Sequence, residues 1–148
     1  MATDYEKTEK RLSEYLLSLR RIEKLKNKIT EARQRLIPGS LDYSKPKVMC
    51  SNSDRMGNIV AYIDSLESGL DNEIEKSERL KRIIYHKIVK AFPDKDIPCR
   101  RVLVLKYLKG KKMTDIANHL GYSEAYTYRL RKQAINTLIE IESKSTEN

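Results

Sequence analysis

The sequence predicts an all-α protein, and three observations lead to that prediction. Leu, Ile, Lys, Glu and Arg, which favour helices, dominate a chain of 148 residues that has only 5 Gly, 4 Pro, 1 Phe and no Trp. Apolar residues recur at helical spacing through most of the chain. The length suits one domain, or a small domain with an extended helical arm. We therefore expect long helices followed by a compact module.

The first predicted helix covers residues 5–36, where apolar residues fall on two heptad rows. The first row is Tyr5, Leu12 and Leu19, and the second is Tyr15, Ile22, Ile29 and Leu36. Lys26 and Arg33 interrupt the first row, so the seam is imperfect. The sequence "IPGS" at 37–40 ends the helix.

Residues 38–53 hold two prolines and a glycine and show neither helical nor strand periodicity, which predicts an irregular loop. Ser53 or Asp54 is then expected to cap a second helix of about 38 residues, with an apolar stripe from Met56 to Phe92. We expect this stripe to pair with the first helix as an antiparallel hairpin, with a second subunit as a coiled coil, or with both. Residues 1–92 thus form a long arm for assembly or partner contacts.

The sequence "PDKDIP" at 93–98 predicts a domain boundary, and residues 99–142 read as a helix-turn-helix. A scaffold helix places Val102, Leu105 and Leu108 inward, "KGKK" forms a turn, and a short helix covers 113–120. Gly121 then supplies a left-handed backbone position, and Ser123 caps a helix that runs to about residue 141. Residues 143–148 are expected to be a flexible tail.

Positive charge is concentrated in this module, where residues 99–135 carry nine Lys and Arg against two Asp and Glu, a net charge of +7. Such a surface suits a polyanion. Helical spacing gives the last helix an exposed face that can enter the major groove of DNA. This face carries Ala125, Tyr128, Arg129 and Lys132. The expected phosphate-binding residues are Arg100, Arg101, Lys111, Lys112, Ser123, Arg131 and Lys132.

The stretch "VLVLKYLKGKKMTDIANHLGYSEAYTYRLRKQAINTL" resembles region four of bacterial sigma factors, which reads promoters. With the upstream loop "YSKPKVMCSNSDRMGNIVAYID", residues 40–140 more closely resemble ArpU-like late-gene regulators encoded by phages of Gram-positive hosts. The resemblance implies major-groove reading by the start of the last helix, with Glu124, Ala125, Tyr128 and Arg129 as the expected base-reading residues. Ala125 and Tyr128 differ from the charged residues common there in sigma factors, so it does not imply an ordinary host promoter element.

The resemblance implies a sequence-specific transcriptional regulator, with double-stranded DNA as partner and host RNA polymerase as a further candidate. A homodimer through the arm is a third expected contact. One alternative is a DNA-packaging adaptor of the small-terminase type, which joins a helix-turn-helix to helical hairpins in a ring. A serine recombinase, suggested by "CSNSDRMG", is disfavoured because its mixed α/β catalytic domain has no counterpart in the helical stripes.

The remaining features predict neither an enzyme nor a cofactor. Cys50, Cys99, His86 and His119 are isolated and lack the spacing of metal ligands. The first residues are charged from position 4, and no run of 18 apolar residues occurs, so we expect neither a secretory signal nor a membrane partner. The expected location is the cytoplasm of a bacterial host.

Overall fold

The computed structural model describes residues 2–37 and 52–146, and in those ranges the protein contains α-helices and no strand. The predicted all-α class is confirmed. The α-helices are α1 (Asp4–Gln34), α2 (Asn52–Ala91), α3 (Pro98–Leu103), α4 (Met113–Leu120) and α5 (Glu124–Thr146), and α3 continues into a π-helical turn at Val104–Leu108.

Two helix ends differ from the predicted ones. Helix α2 begins at Asn52, so Ser53 and Asp54 lie inside its first turn. The carboxylate of Asp54 interacts favourably there with the positive end of the helix dipole. The predicted loop at 38–53 otherwise falls outside the described residues. Helix α5 continues to Thr146, so the first four residues of the expected tail are helical.

The chain divides into two compact units, and the division differs from the predicted boundary between 92 and 99. The arm unit is Ser18–Lys76. The head unit joins Met1–Leu17 to Ser77–Asn148. The beginning of α1 and the end of α2 therefore belong with the predicted helix-turn-helix.

Within the arm unit, α1 and α2 pair antiparallel in the same chain. Ion pairs join Arg21 to Glu73, at 3.5 Å, and Arg33 to Glu67. The later residue of α1 thus pairs with the earlier residue of α2, as antiparallel helices require. The buried apolar side chains of this unit are Ile22, Ile29, Ala32 and Ile63. The expected hairpin is thus formed, while pairing between two chains stays a prediction.

The head unit contains the main hydrophobic core, in which α3 and α4 pack on α5. Helices α1 and α2 contribute to this core as well. Leu12 and Tyr15 of α1, Ile84 and Ile88 of α2, and Phe92 directly after α2 are buried there. The beginning of α1 and the end of α2 therefore pack in one core with the C-terminal helices.

The π-helical turn explains which face of the scaffold segment is buried. The N–H of Lys109 donates to the carbonyl of Val104, five residues earlier, at 3.0 Å. This wider turn brings residues five apart to the same side. Two such pairs are buried, Val102 with Tyr107 and Leu103 with Leu108, whereas Leu105, expected to point inward, is only half-buried.

Candidate nucleic-acid interface

The turn between α4 and α5 has the geometry expected of a helix-turn-helix. Gly121 ends α4 in the left-handed region, with φ of 74°. The N–H groups of Gly121 and Tyr122 both donate to the carbonyl of Ala117, the latter at 2.9 Å. These bonds satisfy a carbonyl that the helix end leaves unpaired. The predicted backbone conformation of Gly121 is confirmed.

Two hydroxyl groups fix the start of α5. The backbone N–H of Tyr126 donates to Ser123 Oγ at 3.2 Å, so Ser123 is the predicted N-cap. Thr127 is fully buried, and its hydroxyl donates to the carbonyl of Ser123 at 2.8 Å. An aliphatic side chain at position 127 lacks this bond, so the threonine ties the cap to the core.

Helix α5 has one buried and one exposed face. Its buried residues are Thr127, Leu130, Ala134, Ile135 and Leu138. The exposed face of its first turns carries all four predicted base-reading residues, Glu124, Ala125, Tyr128 and Arg129, together with Lys132. A guanidinium, a carboxylate and an aromatic edge thus stand together on one rigid helix, where they can meet guanine, cytosine and a thymine methyl.

A basic turn precedes α4 at residues 109–112. Gly110 has a φ of 69°, and the N–H of Lys111 donates to the carbonyl of Leu105 at 2.9 Å, which fixes the turn. Lys111 and Lys112 are exposed. Lys112 lies at the N-cap of α4 and no side chain caps this end, an arrangement whose cations and backbone N–H groups are suited to an anion.

Arg100, predicted to bind phosphate, is engaged within the head unit. Its guanidinium donates to the carbonyls of Phe92, at 3.4 Å, and Pro93, at 2.9 Å, and to the hydroxyl of Tyr85 at 3.3 Å. It also lies 5.9 Å from the centre of the Tyr85 ring. These bonds satisfy carbonyls at the end of α2, and a phosphate contact by Arg100 stays a prediction. Arg101 is exposed.

Arg131 of α5, also predicted to bind phosphate, contacts α1. Its side chain is 20% exposed, with Nη1 3.9 Å from a carboxylate oxygen of Glu9. Its guanidinium also lies 5.1 Å from the centre of the Tyr128 ring. The contacts turn it toward the protein, whereas its neighbour Lys132 is exposed.

Sequence reasoning missed two features near this surface. Tyr126 is exposed, and the centre of its ring lies 5.1 Å from that of the Tyr122 ring, edge to face. The sequence signal for this pair is two tyrosines four residues apart, one before and one after the start of α5. A cavity of about 250 Å³ also brings together cationic side chains that the sequence separates. It is lined by Lys95, Arg100, Arg101, Val104, Leu105 and His119.

Two buried groups of the head unit have perturbed acidity. Burial raises the pKa of the Cys99 thiol, whose Sγ lies 3.7 Å from the carbonyl of Leu130. Burial, and next the charge of Glu9, raise the pKa of the Tyr107 hydroxyl, which donates to Glu9 Oε1 at 3.3 Å. Both groups stay protonated in the folded protein, so neither offers a nucleophile at neutral pH.

Helix faces and cationic side chains make up this surface. Within residues 2–37 and 52–146 no group of His, Cys, Asp and Glu is placed to hold a metal ion. None of the helices in those ranges is long and apolar enough to cross a membrane. Comparison with protein-family models, curated proteins and solved structures found no match to this chain.

Proposed function

We propose that the protein is a sequence-specific DNA-binding transcriptional regulator that reads the major groove of double-stranded DNA with the start of α5. The observation that carries the proposal is the junction of α4 and α5. A left-handed glycine, a serine cap and a buried threonine fix α5 while its opposite face stays exposed. A helix presented in this way can enter a groove without losing its packing.

The charge of the surface supports the same proposal. Arg129 on the exposed face of α5 is suited to a bidentate contact with guanine. Lys111, Lys112 and Lys132 are exposed on the adjoining turn and helix, and these cations are suited to phosphates. Duplex DNA satisfies both groups at once, because bases and phosphates lie next to each other along its groove.

We also propose an accessory regulator encoded by a phage or prophage and acting in the cytoplasm of a bacterial host. The resemblance of residues 40–140 to ArpU-like late-gene regulators supports this origin. The chain has no Trp and one Phe, so apart from its nine Tyr it has little with which to melt a promoter, and this disfavours an independent initiation factor. Host RNA polymerase and a second copy bound through the arm unit are the proposed protein partners.

Selection of duplexes from a random pool by the full-length protein tests the proposal. We expect one enriched motif, bound roughly a thousandfold or more tighter than scrambled DNA at physiological salt. Affinity for the scrambled duplex should fall steeply as salt rises, because counterions are released from phosphates. Failure to enrich any motif would rule out sequence-specific reading by α5.

Chromatin immunoprecipitation with sequencing, in a host that carries the gene, tests the regulatory role. Sites beside promoters are the expected result. A concentration of the protein at a phage packaging site, together with rings of about eight or more subunits in sedimentation, would instead identify a packaging adaptor. A monomer or dimer at promoters supports the regulator.

A further inference from the structure

Four side chains of the head unit form a line from its interior to the exposed face of α5. Buried Tyr107 donates its hydroxyl to Glu9 Oε1 at 3.3 Å, and the same oxygen lies 3.9 Å from Arg131 Nη1. Arg131 in turn lies 5.1 Å from the centre of the Tyr128 ring. Glu9 belongs to α1, so the beginning of the chain contacts the helix proposed to read DNA.

The geometry of Arg131 does not suit a phosphate contact. Its Nε is buried and has no hydrogen-bond partner among the described residues, whereas bidentate binding of a phosphate uses donors that face the ligand. The Nη1 atom faces the carboxylate of Glu9. Reaching DNA would require Arg131 to leave both Glu9 and the Tyr128 ring.

The contact with Arg131 restrains the ring of Tyr128. Its side chain is 48% exposed, so little packing restrains its χ angles. A guanidinium over an aromatic ring attracts it electrostatically and so restricts the positions that the ring occupies. Contact with a thymine methyl depends on ring position, and a ring held before DNA arrives loses less conformational entropy on binding.

We propose that Glu9 and Arg131 are positioning residues, which hold Tyr128 in the orientation that reads a base, and that Arg131 makes no phosphate contact. The proposal rests on the proposed DNA-reading function of α5 and extends it, because it assigns a specificity role to the beginning of α1. Tyr107 supports the line from within, since its hydroxyl fixes the carboxylate of Glu9.

The first test compares Arg131→Gln with Lys132→Gln, which removes the same charge from the adjacent, exposed position. Arg131→Gln should weaken binding to the preferred duplex roughly three- to tenfold, change binding to scrambled duplex less than twofold, and leave the slope of log K against log salt unaltered. Lys132→Gln should weaken both and reduce the magnitude of the slope by about one. A slope reduced by about one in Arg131→Gln would overturn the proposal.

The second test compares Glu9→Gln with Glu14→Gln, a matched change at an exposed position of α1. The amide of Glu9→Gln still accepts from Tyr107 but no longer carries the charge that holds Arg131. This variant should lose preference for the selected duplex roughly threefold or more, while Glu14→Gln keeps it. In an Arg131→Gln background, Glu9→Gln should have no further effect, because the two residues act through one contact.

Thermal melting of each variant separates misfolding from misplacement of the ring. Loss of preference at an unchanged melting temperature supports the proposal, and if Arg131→Gln fails to fold, the Glu9 and Glu14 pair decides it. Equal behaviour of Glu9→Gln and Glu14→Gln would overturn it while leaving the proposed function intact. A parent protein without sequence preference would overturn both.

Discussion

Two exposed cations of the candidate interface, Arg129 and Lys112, are expected to meet different parts of a duplex. Arg129 stands on the outer face of α5, and Lys112 at the start of α4. Arg129→Ala should cost about 1 to 3 kcal/mol on the preferred site and relax preference at one base position, because it removes a bidentate base contact. Random DNA offers no such contact, so affinity for it should change little.

Lys112→Ala should weaken binding to specific and random duplexes alike. It removes one neutralised phosphate, so the magnitude of the slope of log K against log salt should fall by about one. Titration of both variants against selected and scrambled duplexes at several salt concentrations checks the pair. If Arg129→Ala lowers the two affinities equally, α5 is not the reading helix.

The buried hydroxyl of Tyr107 should make the free energy of unfolding depend on pH in the alkaline range. Burial, with the nearby charge of Glu9, raises the pKa of its hydroxyl above the unfolded value of about 10. Below about pH 10 the hydroxyl is protonated in both the folded and the unfolded state, so its contribution to stability is fully present. Above it the unfolded chain loses this proton first, so the free energy of unfolding should fall as pH rises.

Denaturant unfolding between pH 8 and 11 measures this effect. Tyr107→Phe should be less stable at pH 8, because the bond to Glu9 is lost, yet its stability should decline less steeply above about pH 10. Tyr62→Phe, at an exposed position, is the control and should decline as the parent does. Identical slopes in all three proteins would contradict the assignment.

Two of the predicted phosphate-binding residues make contacts with distant parts of the chain that the sequence did not indicate. Arg100 and Arg131 look like surface cations on their own helices, yet their partners are at the end of α2 and near the start of α1. Helical periodicity reports which side of a helix a residue occupies. It does not report whether another helix lies beside that position.

At the scale of the element, the turn between α4 and α5 depends on the backbone angle of one glycine. An added Cβ at Gly121 would meet no atom within 4 Å, and the same holds at Gly69 inside α2. The two sites differ in φ, which is 74° at Gly121. Alanine at both positions therefore isolates the backbone conformation from steric contact.

Gly121→Ala should lower the free energy of unfolding by about 1 to 2 kcal/mol, the cost of a side chain in the left-handed region. Gly69→Ala should raise it by about 0.5 to 1 kcal/mol, because alanine favours helix interiors. Chemical denaturation of both variants beside the parent gives the comparison. Two changes of the same sign would show that φ at Gly121 does not decide the effect.

Local signals were strong enough to predict these elements, but they did not predict the π-helical turn. The glycine at 121, the cap at 123 and the apolar positions of α4 and α5 each reflect neighbours within four or five residues. In the scaffold segment a 3.6-residue period selected Leu105, whereas the structure buries Tyr107. Packing against other helices favours the wider turn, and such contacts between distant parts of the chain leave no signal in the local sequence.

At the scale of the whole molecule, the head unit draws its core from both ends of the chain. Leu12 of α1 is buried in the same cluster as Leu130 and Leu138 of α5. Residues from the predicted arm, 1–92, therefore share a core with the C-terminal helices. A heptad pattern finds the apolar positions of α1 but does not distinguish those that pack in the head unit from those left exposed.

Leu12 and Leu19 provide a matched pair for this point, because they occupy the same predicted heptad row one repeat apart. Leu12 is 2% exposed and Leu19 is 38% exposed. Leu12→Ala should lower the free energy of unfolding by about 2 to 5 kcal/mol, the usual cost of a cavity in a core. Leu19→Ala should change it by no more than about 0.5 kcal/mol, as surface substitutions do.

The effect of Leu12→Ala should reach α5, although more than a hundred residues separate them along the chain. Amide hydrogen exchange should become faster in α3 and α5 of this variant and remain at the parental rate in Leu19→Ala, because opening of the head unit exposes the helices packed on its core. Faster exchange confined to α1 would mean that the beginning of the chain is dispensable to the helix-turn-helix. With the head unit built from both ends, a substitution near the start of α1 alters the helix proposed to meet DNA.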